Sequence, residues 1–409
     1  MSVKERFLRY VMIPTMSDGA SKTCPSSEKQ WVLAKLLADE LKAMGLSDVS
    51  ISEYGYVSAV LPSNCEKDVN TIGLIAHMDT SDAASDENIK PRCLRYEGGD
   101  ILLNAEKSIV MKTSDYPYLD SYRGQELIVT DGTTLLGADD KAGVAEIMEA
   151  LAMLIASGKE HGTVKVCFTP DEEIGRGADR FDVAGFAADY AYTVDGGALG
   201  ELEYENFNAG GAHVTIHGVS IHPGSAKDKM KNAALIACEF NALLPADQIP
   251  AKTEGYEGFF HLSSLRGETE LVELSYIIRD HDFAKYEEKK AVMLACGEEI
   301  NRRYGAGTAE VKLHDSYRNM KEKIEPCFYI VERAKKAMTE CGVVPRTVPI
   351  RGGTDGARLS YMGLPCPNFC TGGENFHSRF EFVSVEAMEK ITEILARLIT
   401  DAVAEEAVR

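Results

Sequence analysis

Residues 71–80, TIGLIAHMDT, hold an unbroken apolar run from Ile72 to Ala76 that stops at His77-Met78-Asp79. A half-buried strand alternates between apolar and polar residues. A run without alternation fits a strand covered on both faces, as in the parallel sheets of α/β proteins. Open sheets of that kind place their sites beyond the carboxyl ends of the strands. The pattern recurs. TVKVCFT (163–169) runs into Pro170-Asp171-Glu172-Glu173-Ile174-Gly175, and a strand at 189–194 runs into Asp195-Gly196-Gly197. Between the first two strands, TLLGADDKAG (134–143) leads into a helix over 142–157. There Val144, Ile147, Met148, Leu151 and Ile155 fall on one face. This alternation predicts an α/β domain, a doubly wound mixed sheet with acidic and histidine clusters along one edge.

Upstream, helices are expected over 3–12 and 28–44, with Ser27-x-x-Gln30 as a weak capping box and Gly45 closing the second. Short strands follow near 49–53 and 56–61, and residues 82–130 read as small strands and loops. From residue 206 the pattern changes to strand 211–217, helix 230–244, strands 257–265 and 270–279, helix 282–304 and strand 308–314. That order, βαββαβ, is the ferredoxin-like α+β unit. Residues 206–318 are therefore expected to form an inserted lid or dimerisation-type domain within a catalytic domain of 1–205 and 319–409. Beyond it come a helix at 326–341, a Gly-rich loop at 350–356, a strand at 366–370 and a helix from 384.

The formal net charge of −20 argues against a nucleic-acid or anionic-membrane partner. No run approaches the roughly 18 apolar residues of a membrane span, and MSVKERFLRYVMIPTMSDG has neither an apolar core nor a small-residue cleavage site. The ten cysteines are scattered, and Cys366-x3-Cys370 lacks a second ligand pair at zinc-finger spacing. These features fit a reduced, cytoplasmic protein.

The residues able to carry chemistry are His77, Asp79, Asp139, Asp140, Glu172, Glu173 and Asp195, with His377 late in the chain in GGENFHSRFEF. Two imidazoles with several carboxylates suit a borderline divalent metal; oxygen ligands alone would suit magnesium or calcium. His77-x-Asp79 fits a ligand followed by a carboxylate that orients its ring. Of two neighbouring glutamates at a turn, one can bind metal while the other takes a proton from water. Singly, each group has an ordinary reading: a core histidine, a turn aspartate, a helix cap, a solvated loop. All but His377 fall at or near strand ends or the junction opening the 142–157 helix.

HMDT, LLGADDKAG, PDEEIG, TVDGG, IHPGSAK, RGGTDGARLS and GGENFH, in this order, resemble the motif series of the peptidase T family. That is the aminotripeptidase branch of the M20-type co-catalytic zinc metallopeptidases, and the resemblance spans essentially the whole chain. It implies two Zn2+ ions, with Co2+ or Mn2+ as substitutes. His77, Asp139 and Asp195 would hold one ion and Asp139, Glu173 and His377 the other, with a cis peptide at Asp139-Asp140. Asp79 would orient His77, and Glu172 would serve as general base and later acid. His222 of the inserted domain would donate to the oxyanion, closure completing the site. Arg279 and Arg351 would clamp a peptide C-terminus, and Asn232 would contact substrate.

The implied activity is release of the N-terminal residue from tripeptides, by a monomer or homodimer. The alternatives are a dinuclear-zinc dipeptidase, an N-acyl amino acid deacylase, and a non-catalytic metal-binding scaffold. Neither Gly175-Arg176-Gly177 nor Arg351-Gly352-Gly353 has the spacing of a nucleotide-binding fingerprint.

Overall fold

A computed structural model describes residues 1–404. The chain divides into two compact units. The first comprises Met1–Tyr204, Glu322–Thr347 and the chain from Thr354; the second comprises Glu205–Lys321 and Val348–Gly353. The segment Val348–Gly353, given to the catalytic domain by the sequence pattern, thus belongs with the second unit.

The first unit is built on an eight-stranded mixed sheet. Its order is Ser47–Ile51, Val57–Leu61, Val164–Thr169, Ile72–His77, Tyr190–Val194, Asn368–Phe369, Glu201–Glu203 and Arg346–Thr347. Ile72–His77 is parallel to both its neighbours and buried at every residue. This is why its sequence does not alternate. In register, His77 pairs with Thr169 and Ile75 with Thr193, so all three strands end at one edge. The helix Ala138–Ser157 packs on the central strand, with Val3–Val11 and Val385–Asp401 against it.

Within residues 82–130, Arg92–Arg95 and Glu126–Val129 join Phe382–Ser384 and Gly373–Glu374 in a second sheet. Tyr96, Leu103, Met111, Leu119, Tyr122 and Phe382 share its core. The segment thereby supports the strands that flank His377.

The second unit is a four-stranded antiparallel sheet, ordered Phe259–Gly267, Leu271–Asp280, Asn208–His217, Ala309–Tyr317. Helices Ala233–Ala242 and Phe283–Tyr304 complete βαββαβ. Val214, Ile216, Leu274 and Ile278 point from the sheet into a core shared with Ile236, Phe240, Met293 and Ile300.

Two local expectations fail. Ser27-x-x-Gln30 does not cap its helix: the helix starts at Gln30 without a side-chain cap, and the Gln30 amide donates instead to Asp171 at 2.7 Å. A helix at Asp355–Tyr361, capped by Thr354, follows the Gly-rich loop. At 7 residues it is too short to show periodicity. Among the described residues, no helix is long and apolar enough to cross a membrane.

Candidate metal centre

The centre forms where strand ends meet a loop-to-helix junction. His77 is the last residue of its strand, Glu172 and Glu173 follow Val164–Thr169 by a tight turn, and Asp195 follows Tyr190–Val194. Asp139 and Asp140 lie at the start of Ala138–Ser157, but their backbone is not helical and the peptide bond between them is cis. The plain N-cap reading of this junction fails, because Gly137 is the N-cap and offers no side chain.

Asp139 occupies the middle. Its Oδ1 lies 2.9 Å from His77 Nε2, and its Oδ2 lies 3.2 Å from His377 Nε2. Asp195 Oδ1 approaches His77 Nε2 at 3.7 Å, and Glu173 Oε2 approaches His377 Nε2 at 2.8 Å. Two sets of donor atoms therefore converge, one on each side of a single carboxylate: His77 with Asp195, and His377 with Glu173. His77, Asp139 and Glu173 present ligand atoms within 4.8 Å of one another, as do His77, Asp140 and Asp195.

Asp79 does more than the sequence suggested. Its backbone oxygen lies 3.0 Å and its Oδ1 3.4 Å from His77 Nδ1. Its two carboxylate oxygens also accept the backbone N–H groups of Glu172 and Glu173 at 2.9 and 3.2 Å. Asp79 thus fixes the ring of His77, through its backbone oxygen and carboxylate, and the turn bearing the glutamates, through its carboxylate.

The charge balance fits cations. Asp139, Asp140, Glu172, Glu173 and Asp195 crowd together, and no Lys or Arg among the described residues pairs with any of them. Glu173 Oε1 and Asp140 Oδ1 are buried without a hydrogen-bond partner. An orphaned buried carboxylate oxygen is costly, and a divalent ion would satisfy it. Burial pushes the carboxyls of Asp195, Glu172, Asp140 and Glu173 above the usual range. Hydrogen bonds donated to the Asp139 and Glu173 carboxylates hold the His377 imidazole up at about 11. Burial disfavours the charged form of His77, yet its bonds to Asp139 and Asp79 outweigh this and raise it.

Several supporting residues escaped the sequence reading. Asp171, at φ 59°, accepts from Ser26 N, Ser26 Oγ and Gln30 Nε2 at 2.7, 2.5 and 2.7 Å, anchoring the glutamate turn from behind. Thr169 Oγ1 donates to Asp355 Oδ2 at 2.8 Å. The Asp355 carboxylate fills the space beside Gly177, where a Cβ would come within 2.2 Å of its oxygens. Asp140, a candidate from the sequence, accepts from His77 N through its Oδ2 at 3.0 Å. The one available signal was the place of Asp171 directly before Glu172, a residue already singled out. Nothing in the sequence tied Ser26, Gln30 or Asp355 to that edge.

In the second unit, His222 is exposed, and its Nδ1 accepts from Gly224 N at 3.1 Å. With Nδ1 an acceptor, the neutral ring carries its proton on Nε2. Arg279 donates from Nη1 to the Gly210 and Ile278 carbonyls at 3.2 and 3.1 Å, and its guanidinium lies over Tyr317. Arg351 donates to the carbonyls of Gly255, Glu257 and Thr253 and to Thr253 Oγ1, and stacks on Phe207 and Phe259. Asn232 caps the helix Ala233–Ala242 by accepting from Ala234 N and Leu235 N.

Comparison with known proteins gives the family. The model of peptidase family M20/M25/M40 matches residues 129–401. Peptidase T of Alkaliphilus oremlandii is 55% identical over 399 residues, covering 97% of this chain and 98% of the relative. Peptidase T of Desulfitobacterium hafniense strain Y51 is 56% identical over 400 residues, covering 97% of each. Among solved structures, aminopeptidase PepT of Bacillus cereus superposes with a TM-score of 0.78 at 25% identity, over 98% of both chains. A dinuclear metal binding peptidase of the M20 family from Bacillus subtilis shares the fold at a TM-score of 0.64 and 15% identity, over 98% of this chain and 97% of its own. The chain belongs to peptidase family M20/M25/M40, and within it to the peptidase T group.

Proposed function

We propose that the chain is a tripeptide aminopeptidase that hydrolyses the first peptide bond with a metal-activated water and Glu172 as general base. The observation that carries this reading is the carboxylate of Asp139, whose two oxygens face His77 on one side and His377 on the other. His77, Asp139 and Asp195 would hold one divalent ion, and Asp139, Glu173 and His377 the second; zinc suits this mixed nitrogen and oxygen set. Such an ion pair polarises a carbonyl and makes water acidic enough to ionise near neutral pH.

The remaining steps fall to the chain's own groups. Glu172 takes a proton from the attacking water and later delivers it to the leaving amine. Burial raises its carboxyl, which suits a group that must both accept and return a proton. Asp79 holds the backbone of Glu172 and the ring of His77, so base and ligand keep a fixed relation. The Nε2–H of His222 donates to the oxyanion that develops at the scissile carbonyl. Arg279, with Nη2 and Nε making no hydrogen bond among the described residues, and Arg351 bind the peptide's terminal carboxylate by the planar fork that suits it. Asn232 contacts substrate through the amide nitrogen that its capping bond leaves over.

The test is release of the N-terminal residue from an unblocked tripeptide, beside the matching dipeptide and the N-acetylated tripeptide, each with and without chelator. Chelator-sensitive cleavage of the free tripeptide alone is expected. Cleavage of the dipeptide or the acetylated peptide instead would move the enzyme to a sister specificity. No cleavage by protein holding two metal equivalents would leave a metal-binding scaffold.

A further inference from the structure

Asp139 and His377 must sit together, yet they lie 238 positions apart in sequence. Neither has the backbone conformation of a helix or a strand. Asp139 is in a non-helical turn with φ −84° and ψ 102°. His377 sits at φ 58° on a loop between Gly373–Glu374 and Phe382–Ser384, and its side chain is 52% exposed. Something else must fix their relation.

Glu381, four residues after His377, is 2% exposed. Its Oε2 accepts the backbone N–H groups of Leu136 and Gly137 at 3.0 and 2.8 Å, and its Oε1 accepts that of Asp139 at 3.0 Å. Its own N–H closes the turn from His377 by donating to Ser378 O at 3.1 Å. One carboxylate therefore grips the backbone of the shared ligand while belonging to the loop of the other. Acceptor-only oxygens suit three converging N–H donors, because a carboxylate brings no hydrogen of its own. Bonds from N–H groups to a charged acceptor are also roughly twice as strong as neutral ones.

We infer that Glu381 is a positioning residue that holds Asp139 and His377 in register, so that the ion site of Asp139, Glu173 and His377 is formed before metal arrives. This rests on the two-ion reading above. The plain alternative is a carboxylate that merely satisfies the first N–H groups of a helix. Such a role would move fold stability without discriminating between the two ion sites.

Glu381→Gln separates the two. The amide keeps the size but turns an –NH2 towards at least one of the three N–H groups. Zinc binding is measured by equilibrium dialysis with atomic emission, beside thermal unfolding of the metal-free protein. The expected result is two equivalents in the wild type. In the variant, one equivalent should show a dissociation constant raised about 10- to 100-fold, as losing a group that orients a ligand typically does. The other should change far less. Wild-type affinity for both ions, or equal weakening of both, overturns the inference. A wild type that never binds a second ion overturns the two-ion reading itself, so the two failures are distinguishable. If Glu381→Gln does not fold, Glu381→Asp takes its place: it keeps the charge, shortens the reach, and should show the same selective loss to a smaller extent.

Discussion

The two units place their chemistry on different kinds of ground. In the first unit, the groups are buried and locked to one another across long stretches of sequence: Asp79 to the glutamate turn, Asp171 to Ser26 and Gln30, Asp355 to Thr169. In the second unit, His222 is exposed at the start of a three-residue turn, and its Nδ1 bonds to a residue two positions away. Arg279 bonds to the strand it belongs to and to its neighbour. The contrast teaches a division of labour. A cation site with crowded carboxylates needs a rigid low-dielectric frame, because unpaired buried charge is costly. Groups that meet a transient oxyanion or a departing product need open approach instead.

The largest expected effect tests the rigid side. Glu172→Ala removes the proposed base from a frame that Asp79 holds through backbone N–H groups, which the substitution leaves intact. Turnover should fall by about 10^2–10^4, with metal content unchanged by atomic emission. Near wild-type turnover would remove Glu172 from the mechanism. Loss of metal would show that it belongs to the cation frame rather than to proton transfer.

His222→Ala tests the open side. The kcat should drop by about 10^2–10^3, the usual loss for one oxyanion donor, while metal content and thermal midpoint stay at wild-type levels. A variant that loses metal would break the contrast, because His222 would then share in the buried frame.

Arg351→Ala sharpens the contrast further. Its guanidinium already bonds to three carbonyls of the loop around residues 253–257, so it has a structural use whatever else it does. If it also clamps the substrate, the wild type should favour a tripeptide acid over its C-terminal amide, and the variant should lose about 10-fold or more of that preference through KM. An unchanged acid-to-amide ratio with a lowered thermal midpoint would confine Arg351 to holding its loop.

The unequal legibility of the two sides follows from the same physics. Buried parallel strands announce themselves by runs without alternation, so Ile72–His77 and its neighbours were readable, and with them the edge that carries His77, Glu172, Glu173 and Asp195. The ferredoxin-like order was readable because its strands alternate and its helices are periodic. What brings His377 to Asp139 was not, because it depends on pairing between Phe382–Ser384 and Glu126–Val129 across the chain. Residue pairing over such separations leaves no local pattern. The resemblance to a known motif series named His377 where composition and spacing could not. Gln30 misled for the same reason. Its local spacing matched a capping box, while its amide serves Asp171, 141 positions away.

The smallest expected effect concerns a carboxylate of the first unit outside the metal centre. Glu203 lies on the short strand beside Asn368–Phe369, and its Oε2 accepts from Asn368 Nδ2 at 2.7 Å. Burial pushes its carboxyl from the ordinary 4.5 up to about 8, and the hydrogen bond from Asn368 offsets only part of this. A raised folded-state value means that folding favours the protonated acid. The associated stability is fully present below about pH 4.5 and is lost as pH climbs through about 8. Glu203→Gln keeps the shape and an acceptor for Asn368 while removing the charge. Thermal unfolding of the metal-free protein should show the variant matching the wild type at pH 5 and exceeding it by a few degrees at pH 8. The outcome bears on the metal centre too, since burial is the main cause of the raised carboxyls of Asp195 and Glu172 as well. A variant with no advantage at pH 8 would mean that burial in this unit does not by itself disfavour a carboxylate. The crowded acids at the strand edge would then need no cation to tolerate their position, and the rigid half of the contrast would lose its electrostatic reason.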